Sequence, residues 1–209
     1  MNSKKENIIK NICKTTKHKG HKNYVNHLRS GFLLCKFKYT GSNNLIDVNN
    51  SIFYKCKFHF FGSNNKILIG SNCIFKNVDF WIEGDGNVIS IGDGCLFAGT
   101  AQLACCEGTS ITIGSFLLCS SDVNIRTSDS HSILNLNDVR INNARDVFIG
   151  ENVWICQKAT LLKGSQVPNN SVVAYGSVVT KKYNEENCVY GGNPARLIKQ
   201  NIKWSKERL

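Results

Sequence analysis

Aliphatic side chains recur every six residues through the C-terminal half, at Ile149, Ile155, Leu161, Val167, Val173 and Val179. Four positions after each of the first five sits a small or β-branched residue: Val153, Ala159, Ser165, Ser171 and Ser177. An amphipathic helix repeats at about 3.6 residues and a half-buried strand at about 2, so neither pattern fits. One large and one small apolar position every six residues describe a short strand followed by a tight turn. Stacked, such units form a solenoid whose aliphatic row points inward.

The N-terminal half repeats on a longer period. The stretch Gly62-Ser63-Asn64-Asn65-Lys66-Ile67-Leu68-Ile69-Gly70 returns 22 residues later at Gly84–Gly92 and again at Cys106–Gly114. An earlier copy opens at Gly41-Ser42-Asn43-Asn44, 21 residues ahead of the first. Each copy sets a Gly/Asn turn before alternating β-branched residues, which predicts turn then strand. Three hexapeptides make 18 residues, so a 22-residue coil is one turn of a three-sided prism plus a four-residue corner excursion. Cys73 and Cys95, one coil apart, fall in the same small-residue slot, a packing position.

An open stack exposes backbone groups at both ends and needs caps. The expected organisation is a basic N-terminal segment or cap over 1–35, a β-helix over 36–194, and a C-terminal helix or arm over 195–209. Ile8, Ile9 and Ile12 point to a short helix in the first. Ile198, Ile202 and Trp204 suit a terminal helix or arm lying on a neighbouring subunit.

The repeat breaks between Ile113 and Ile149, a gap of 36 residues that corresponds to two hexapeptide coils. Residues 126–146 form a polar insertion in an otherwise regular scaffold, and such loops tend to carry function. The insertion holds His131, with Asp129 two residues before it; His59 is the other histidine of the expected repeat region. An imidazole accepts a proton near neutral pH without extreme tuning, as a general base must.

Composition narrows the partners. The net charge of +11 favours anionic ones, and Lys4, Lys5, Lys10, Lys14, Lys17, Lys19 and Lys22 crowd the N-terminus. No zinc finger, RNP motif or long basic helix accompanies them, so nucleic acid is not an expected partner. The ten cysteines include no C-x-x-C pair and no Cys/His cluster with zinc spacing. Many unpaired thiols suit a reducing compartment. No apolar run reaches membrane-spanning length, and no signal-type apolar segment opens the chain. The expectation is a cytoplasmic protein without stable membrane insertion.

Several motifs follow in order: Thr127-Ser128-Asp129-Ser130-His131-Ser132-Ile133, Arg140-Ile141-Asn142, Asp146-Val147-Phe148-Ile149-Gly150-Glu151-Asn152-Val153-Trp154-Ile155, Ala159-Thr160-Leu161-Leu162-Lys163-Gly164, Gly176-Ser177-Val178-Val179-Thr180-Lys181 and Gly192-Asn193-Pro194-Ala195-Arg196. They resemble the hexapeptide-repeat acyltransferases, and most of all the bacterial capsular polysaccharide O-acetyltransferases acting on sialic-acid polymers. The matches run from about residue 110 to 204, with earlier coils from about residue 41 matching in kind. The resemblance implies an all-β, left-handed parallel β-helix that assembles as a homotrimer. It implies active sites between neighbouring prisms, acetyl-CoA as acyl donor, and no metal.

The same resemblance implies roles residue by residue. His131 is the general base and Trp154 borders the site. Gln157 and Tyr175 fall where corner backbone holds the pantetheine arm. Thr180, Lys181, Arg196 and Lys199 fall where members grip the adenine and phosphate end, and basic side chains suit that anionic group. Asp129, Arg140 and Glu107 are the candidates for contact with a sugar or acidic polysaccharide acceptor. One departure stands out: Cys156 replaces the glycine that follows the Val-Trp-Ile segment in many members, which narrows the expected pantetheine channel.

The implied reaction is acetylation of a sugar hydroxyl. Its first rival is N-acetylation of an amino sugar, perhaps nucleotide-linked, on the same scaffold. A γ-type carbonic anhydrase would need three histidines on zinc, which His59 and His131 do not supply. A non-enzymatic solenoid would have no use for the His131 loop together with Thr180-Lys181 and Pro194-Ala195-Arg196.

Overall fold

The computed structural model describes residues 14–18 and 20–207. Among them the chain forms strands and turns and no helix. Three parallel sheets of eight, seven and nine strands make the sides of a prism, and the chain visits them in rotation. Seven strands in the second sheet mean seven complete coils, with a partial eighth. The winding is the left-handed parallel β-helix expected from the repeat.

Register explains why the coils stack. In the first sheet Phe37, Phe58, Phe80, Leu103, Ile125, Leu161 and Val179 lie one above another. In the third, Phe32, Phe53, Phe75, Phe97, Cys119, Ile155, Val173 and Tyr190 do the same. All of these side chains are buried. The six-residue aliphatic row and its small partners at Val153, Ala159, Ser165, Ser171 and Ser177 point inward as the spacing predicts.

The two halves fill the prism differently. Narrow C-terminal coils put a single residue inward from a two-residue first-sheet strand, as at Thr160–Leu161. The wider N-terminal coils put two inward from a longer strand, as Phe58 and Phe60 in Lys57–Phe61. That larger cross-section is filled by aromatic ladders. Phe32, Phe53, Phe75 and Phe97 stack with ring centroids 4.6, 4.7 and 4.9 Å apart. Phe37, Phe58 and Phe80 stack at 4.8 Å. Offset ring pairs add about 0.5–1.5 kcal/mol beyond the area they bury.

Corners are built from asparagine and glycine. Asn43, Asn64, Asn72, Asn152 and Asn170 adopt positive φ, which asparagine tolerates better than most residues. A buried Asn ladder runs up one corner. Asn44 Oδ1 accepts from Asn65 N at 3.0 Å, Asn65 Oδ1 from Asn87 N at 2.8 Å, and Asn87 Oδ1 from Gly108 N at 2.9 Å. The recurrent Ile-Gly pair has a steric cause at the next corner: a Cβ on Gly92 would lie 2.7 Å from Ser115 N.

The structure revises four expectations. The coil begins before residue 36, because Lys14–His18, Tyr24–Leu28 and Gly31–Leu33 already occupy the three sheets. That brings His27 into the repeat, edge-on to Phe32. The helix expected around Ile8, Ile9 and Ile12 lies outside the described residues. At the other end Ala195–Lys199 is an antiparallel strand, not a helix, because the chain reverses after Gly192 and pairs with Val189–Gly192. The tail then folds back on its own prism, where Trp204 Nε1 donates to Asn152 O at 2.7 Å. Finally, the 36 residues between Ile113 and Ile149 form one coil and not two. The two residues are direct neighbours in the second sheet, so the inserted segment leaves the prism altogether.

Candidate active site

Strand Val123–Arg126 of the first sheet runs straight into the insertion, which returns to the second sheet at Val147–Ile149. The neck is tied to coils on both sides. Thr127 is buried, accepts from Cys106 N at 2.9 Å, and shares a 2.7 Å hydroxyl bond with Thr109. Arg145 N donates to Thr127 O at 2.9 Å, closing the loop. Asp146 Oδ1 accepts from Ser110 N at 2.7 Å, and Asp146 O accepts from Gly164 N at 3.1 Å. The Asn ladder ends at this neck, since Asn87 Oδ1 also accepts from Thr109 N at 3.2 Å.

Beyond the neck the chain makes a hairpin. Ile141 N donates to Ile133 O and Asn135 N to Val139 O, both at 2.9 Å. Two side-chain clusters hold it against the prism. In the first, buried Asn142 donates to His131 O at 2.8 Å and to Asp129 Oδ2 at 2.9 Å, while its oxygen accepts from Ile133 N at 2.7 Å. Lys163, from the next coil, donates to Asp129 Oδ2 at 2.5 Å and to Asn142 O at 2.7 Å. In the second, Glu107 takes a two-pronged bond from Arg140 at 2.7 and 2.9 Å and a hydroxyl bond from Ser128 at 2.5 Å.

These contacts fix charge as well as shape. The Lys163 ammonium, with help from the Asn142 amide, holds the Asp129 carboxyl below the usual carboxylate range. The Arg140 guanidinium and then the Ser128 hydroxyl do the same for Glu107. Asp129, Arg140 and Glu107, expected to meet an acceptor, are therefore engaged inside the loop and its anchor. His131 is exposed, and the bond that orders it is made by its carbonyl.

The remaining expected residues divide between places. Thr180 and Lys181 line a cleft of about 580 Å³ together with Arg145, Asp146, Lys163 and Gly164, directly below the loop neck. Lys181 also lines a second cleft of about 470 Å³ that contains Arg196. Lys199 pairs across from Val189 on the third sheet and lines neither. Gln157 and Tyr175 stand at another corner, between the third and first sheets. There Gln157 O accepts from Gly176 N at 3.0 Å, and Lys158 Nζ lies 5.8 Å from the exposed Tyr175 ring. Trp154 lies half-buried on the third sheet, bonded to Ser120 Oγ at 3.3 Å and 6.0 Å from the Trp204 ring.

One chain thus joins His131 to Thr180 and Lys181 through Lys163. It leaves Gln157, Tyr175 and Trp154 on other edges. Burial pushes the Cys156 thiol up to about 11, which disfavours the thiolate a nucleophile needs. Sequence reasoning assigned no role to Asn142, Lys163 or Ser128. The available signal was the polar Asn142 inside a motif and the lone Lys163 at a coil corner.

No family model matches the chain. Over 98 residues it is 34% identical to a polysialic acid O-acetyltransferase of Escherichia coli O1:K1 / APEC, a stretch covering 46% of this chain and 32% of that protein. Over 107 residues it is 33% identical to the polysialic acid O-acetyltransferase of Neisseria meningitidis, covering 51% of this chain and 50% of that one. The chain therefore spans between a third and half the length of these curated relatives. Among solved structures it is similar to the polysialic acid O-acetyltransferase OatWY, with a TM-score of 0.81 at 27% identity over 92% of this chain and 93% of that one. It is also similar to the polySia specific acetyltransferase NeuO, with a TM-score of 0.68 at 27% identity, covering 94% and 90%.

Proposed function

The chain is a hexapeptide-repeat β-helix with the fold and sequence kinship of the polysaccharide acetyltransferases just described, and on that premise we propose that it transfers an acetyl group from acetyl-CoA to a sugar hydroxyl of an acidic bacterial polysaccharide. The observation that carries this reading is the presentation of His131 on a loop pinned by Asn142, Asp129 and Lys163, beside a basic cleft that Lys163 shares with Lys181.

His131 acts as general base. It takes the hydroxyl proton as the sugar oxygen bonds to the thioester carbonyl carbon. Backbone N–H groups at a coil corner stabilise the oxyanion, a contribution of about 3–4 kcal/mol for one well-placed donor. The C–S bond then breaks, and the imidazolium returns the proton to the leaving thiolate. Lys181 and Arg196 meet the phosphates of the donor, since charge-assisted bonds from basic side chains suit that group. Lys199 reaches the same anion from the third sheet.

Gln157, Tyr175 and Trp154 lie on edges away from His131 of their own chain. A homotrimer in which one prism's loop faces the next prism's corner brings the two sets together, and Gln157 and Tyr175 then line the pantetheine arm. The nine described cysteines are all free, which suits the cytoplasm, where the donor is available. Among the described residues no helix is long and apolar enough to cross a membrane.

The test is thiol release from acetyl-CoA over a panel of polysialic acid, neutral glycans and nucleotide-linked amino sugars. Transfer to polysialic acid that His131→Ala lowers at least about a hundredfold supports the reading. Near-wild-type turnover in that variant removes His131 as base. Transfer to the amino sugars alone replaces the hydroxyl with an amine as acceptor.

A further inference from the structure

The outward face of the first sheet carries a cluster that the acyl-transfer reading leaves unused. Strand pairing sets Lys38, His59, Trp81, Ala104 and Arg126 in one row across successive coils. A second row runs Lys57, Asp79, Gln102 and Asn124. Trp81 and Arg126 are two coils apart, about 10 Å at ordinary strand spacing. Arg126 ends the strand from which the His131 loop departs.

Trp81 is the centre of a half-buried aromatic ridge. Its ring stacks on His59 at 5.3 Å and lies 4.7 Å from Phe61, and its Nε1 donates to Glu83 at 3.1 Å. Around the ridge stand polar groups without partners. His59 Nδ1, Asp79 Oδ1, Asn124 Oδ1 and Arg126 Nε are buried and make no hydrogen bond within the chain. Asp79 Oδ1 is 3.7 Å from His59 Nε2, too far for a bond. Buried polar atoms left unsatisfied are costly, and four on one face call for a partner.

The space beside them is concave. A cleft of about 240 Å³ is lined by Trp81, Glu83, Gln102, Arg126, Ser128 and Ser130, and so ends at the residue before His131. A second cleft, of about 570 Å³, lies beside Asp79 and Asn124 and shares Gln102 with the first. The two form a continuous trough in the size range of ligand sites, about 300–1,000 Å³.

An aromatic face next to unsatisfied donors and acceptors matches a sugar ring, which has one face of C–H groups and an edge of hydroxyls. The electron-rich ring face attracts the C–H side. Asp79, Glu83 and Asn124 accept from hydroxyls, and Arg126 pairs with a carboxylate. A subunit interface fits less well, because interface cores are depleted of charge and this ridge is interleaved with Lys38, Lys57, Asp79, Glu83 and Arg126.

We propose that the first-sheet face from His59 to Arg126 is a track for an anionic sugar chain, with Trp81 as stacking platform and Arg126 as carboxylate contact, leading the acceptor to the His131 loop. The direction of travel rests on the function proposed above; the binding itself does not.

The test pairs binding with kinetics, using polysialic acid as probe and a neutral glucan as control. Fluorescence anisotropy of end-labelled polymer is measured on the full chain and on Trp81→Ala, Trp81→Phe and Arg126→Gln. Acetyl transfer to the polymer is compared with transfer to monomeric sialic acid. Trp81→Ala and Arg126→Gln should each raise the polymer Kd and KM about tenfold, with kcat on the monomer unchanged and Trp81→Phe close to wild type. Unchanged polymer affinity in both variants overturns the track, as does failure of the wild type to bind polymer. Loss of the oligomeric state in Trp81→Ala also overturns it, by assigning the face to subunit contact. Trp81-dependent binding without any transfer keeps the track and removes the transferase reading. Transfer with unaltered polymer KM does the reverse.

Discussion

The side-chain amide of Asn142 donates to the carbonyl oxygen of His131 at 2.8 Å. The same buried group reaches Asp129 and Ile133 N, so one side chain ties three points of the loop together. Asn142→Ala orphans Ile133 N and frees His131 O, at about 1–3 kcal/mol for a buried group left unpaired. If His131 is the base, misplacing it slows chemistry and leaves donor binding alone. The expected result is a kcat lowered about 10- to 100-fold with the acetyl-CoA KM within about twofold of wild type. A variant that turns over normally would show that the imidazole finds its place without the clasp.

Two carboxylates in the loop anchor carry a pH signature. Lys163 lowers the Asp129 pKa and Arg140 lowers that of Glu107. A carboxyl whose folded pKa is depressed stabilises the ordered loop above the unfolded value, and the contribution is lost as pH falls through the folded one. All four partners are partly exposed, so solvent screening keeps the effect on global stability small. Carboxyl NMR should find both groups titrating below the ordinary range of about 4, with loop resonances moving in step. Lys163→Met should return Asp129 toward the ordinary value. An Asp129 midpoint that ignores the substitution removes Lys163 as the cause.

Phe75 stacks between Phe53 at 4.7 Å and Phe97 at 4.9 Å, with Phe80 tilted against it at 5.7 Å. Its removal opens a void in the middle of a ladder that neighbouring coils hold rigid. Phe75→Ala should cost about 3–5 kcal/mol, and Phe75→Leu clearly less. Denaturant unfolding followed by circular dichroism measures both. Equal losses would mean that ring stacking adds nothing to filled volume.

The aliphatic row from Ile149 to Val179 was legible because each six-residue unit there buries one large side chain, and periodicity is what a sequence displays directly. The aromatic ladder was not. Phe32, Phe53, Phe75 and Phe97 are 21 or 22 residues apart, and two inward positions per wide strand blur the period. The misreading of residues 114–148 as two coils has a numerical cause: the excursion is as long as one 18-residue coil, so length alone cannot tell a stacked turn from a loop. His131 was legible as the imidazole in that break. Its support was not, because Asn142 is one asparagine among many and Lys163 reaches the loop only once the coils are stacked. The ridge at His59 and Trp81 was equally hidden, as it exists only across neighbouring coils.

The Asn ladder offers a test of how the corner beneath the loop is held. Asn65 Oδ1 accepts from Asn87 N at 2.8 Å and Asn87 Nδ2 at 2.9 Å, and Asn65 Nδ2 donates to Gly84 O at 3.0 Å. Asn65→Ala leaves Asn87 N and Gly84 O without partners in a dry interior, so a loss of about 2–4 kcal/mol is expected. Asn65→Asp keeps the acceptor but replaces the donor with a carboxylate that burial drives to its neutral form. A carboxyl whose folded pKa is raised gives stability that is complete below the unfolded value and lost as pH rises through the folded one. The aspartate variant should therefore weaken relative to wild type between about pH 5 and pH 8, while the alanine variant keeps a constant deficit. Denaturant midpoints at the two pH values distinguish them. A flat difference for Asn65→Asp would mean that water reaches this corner and that the ladder is not dry.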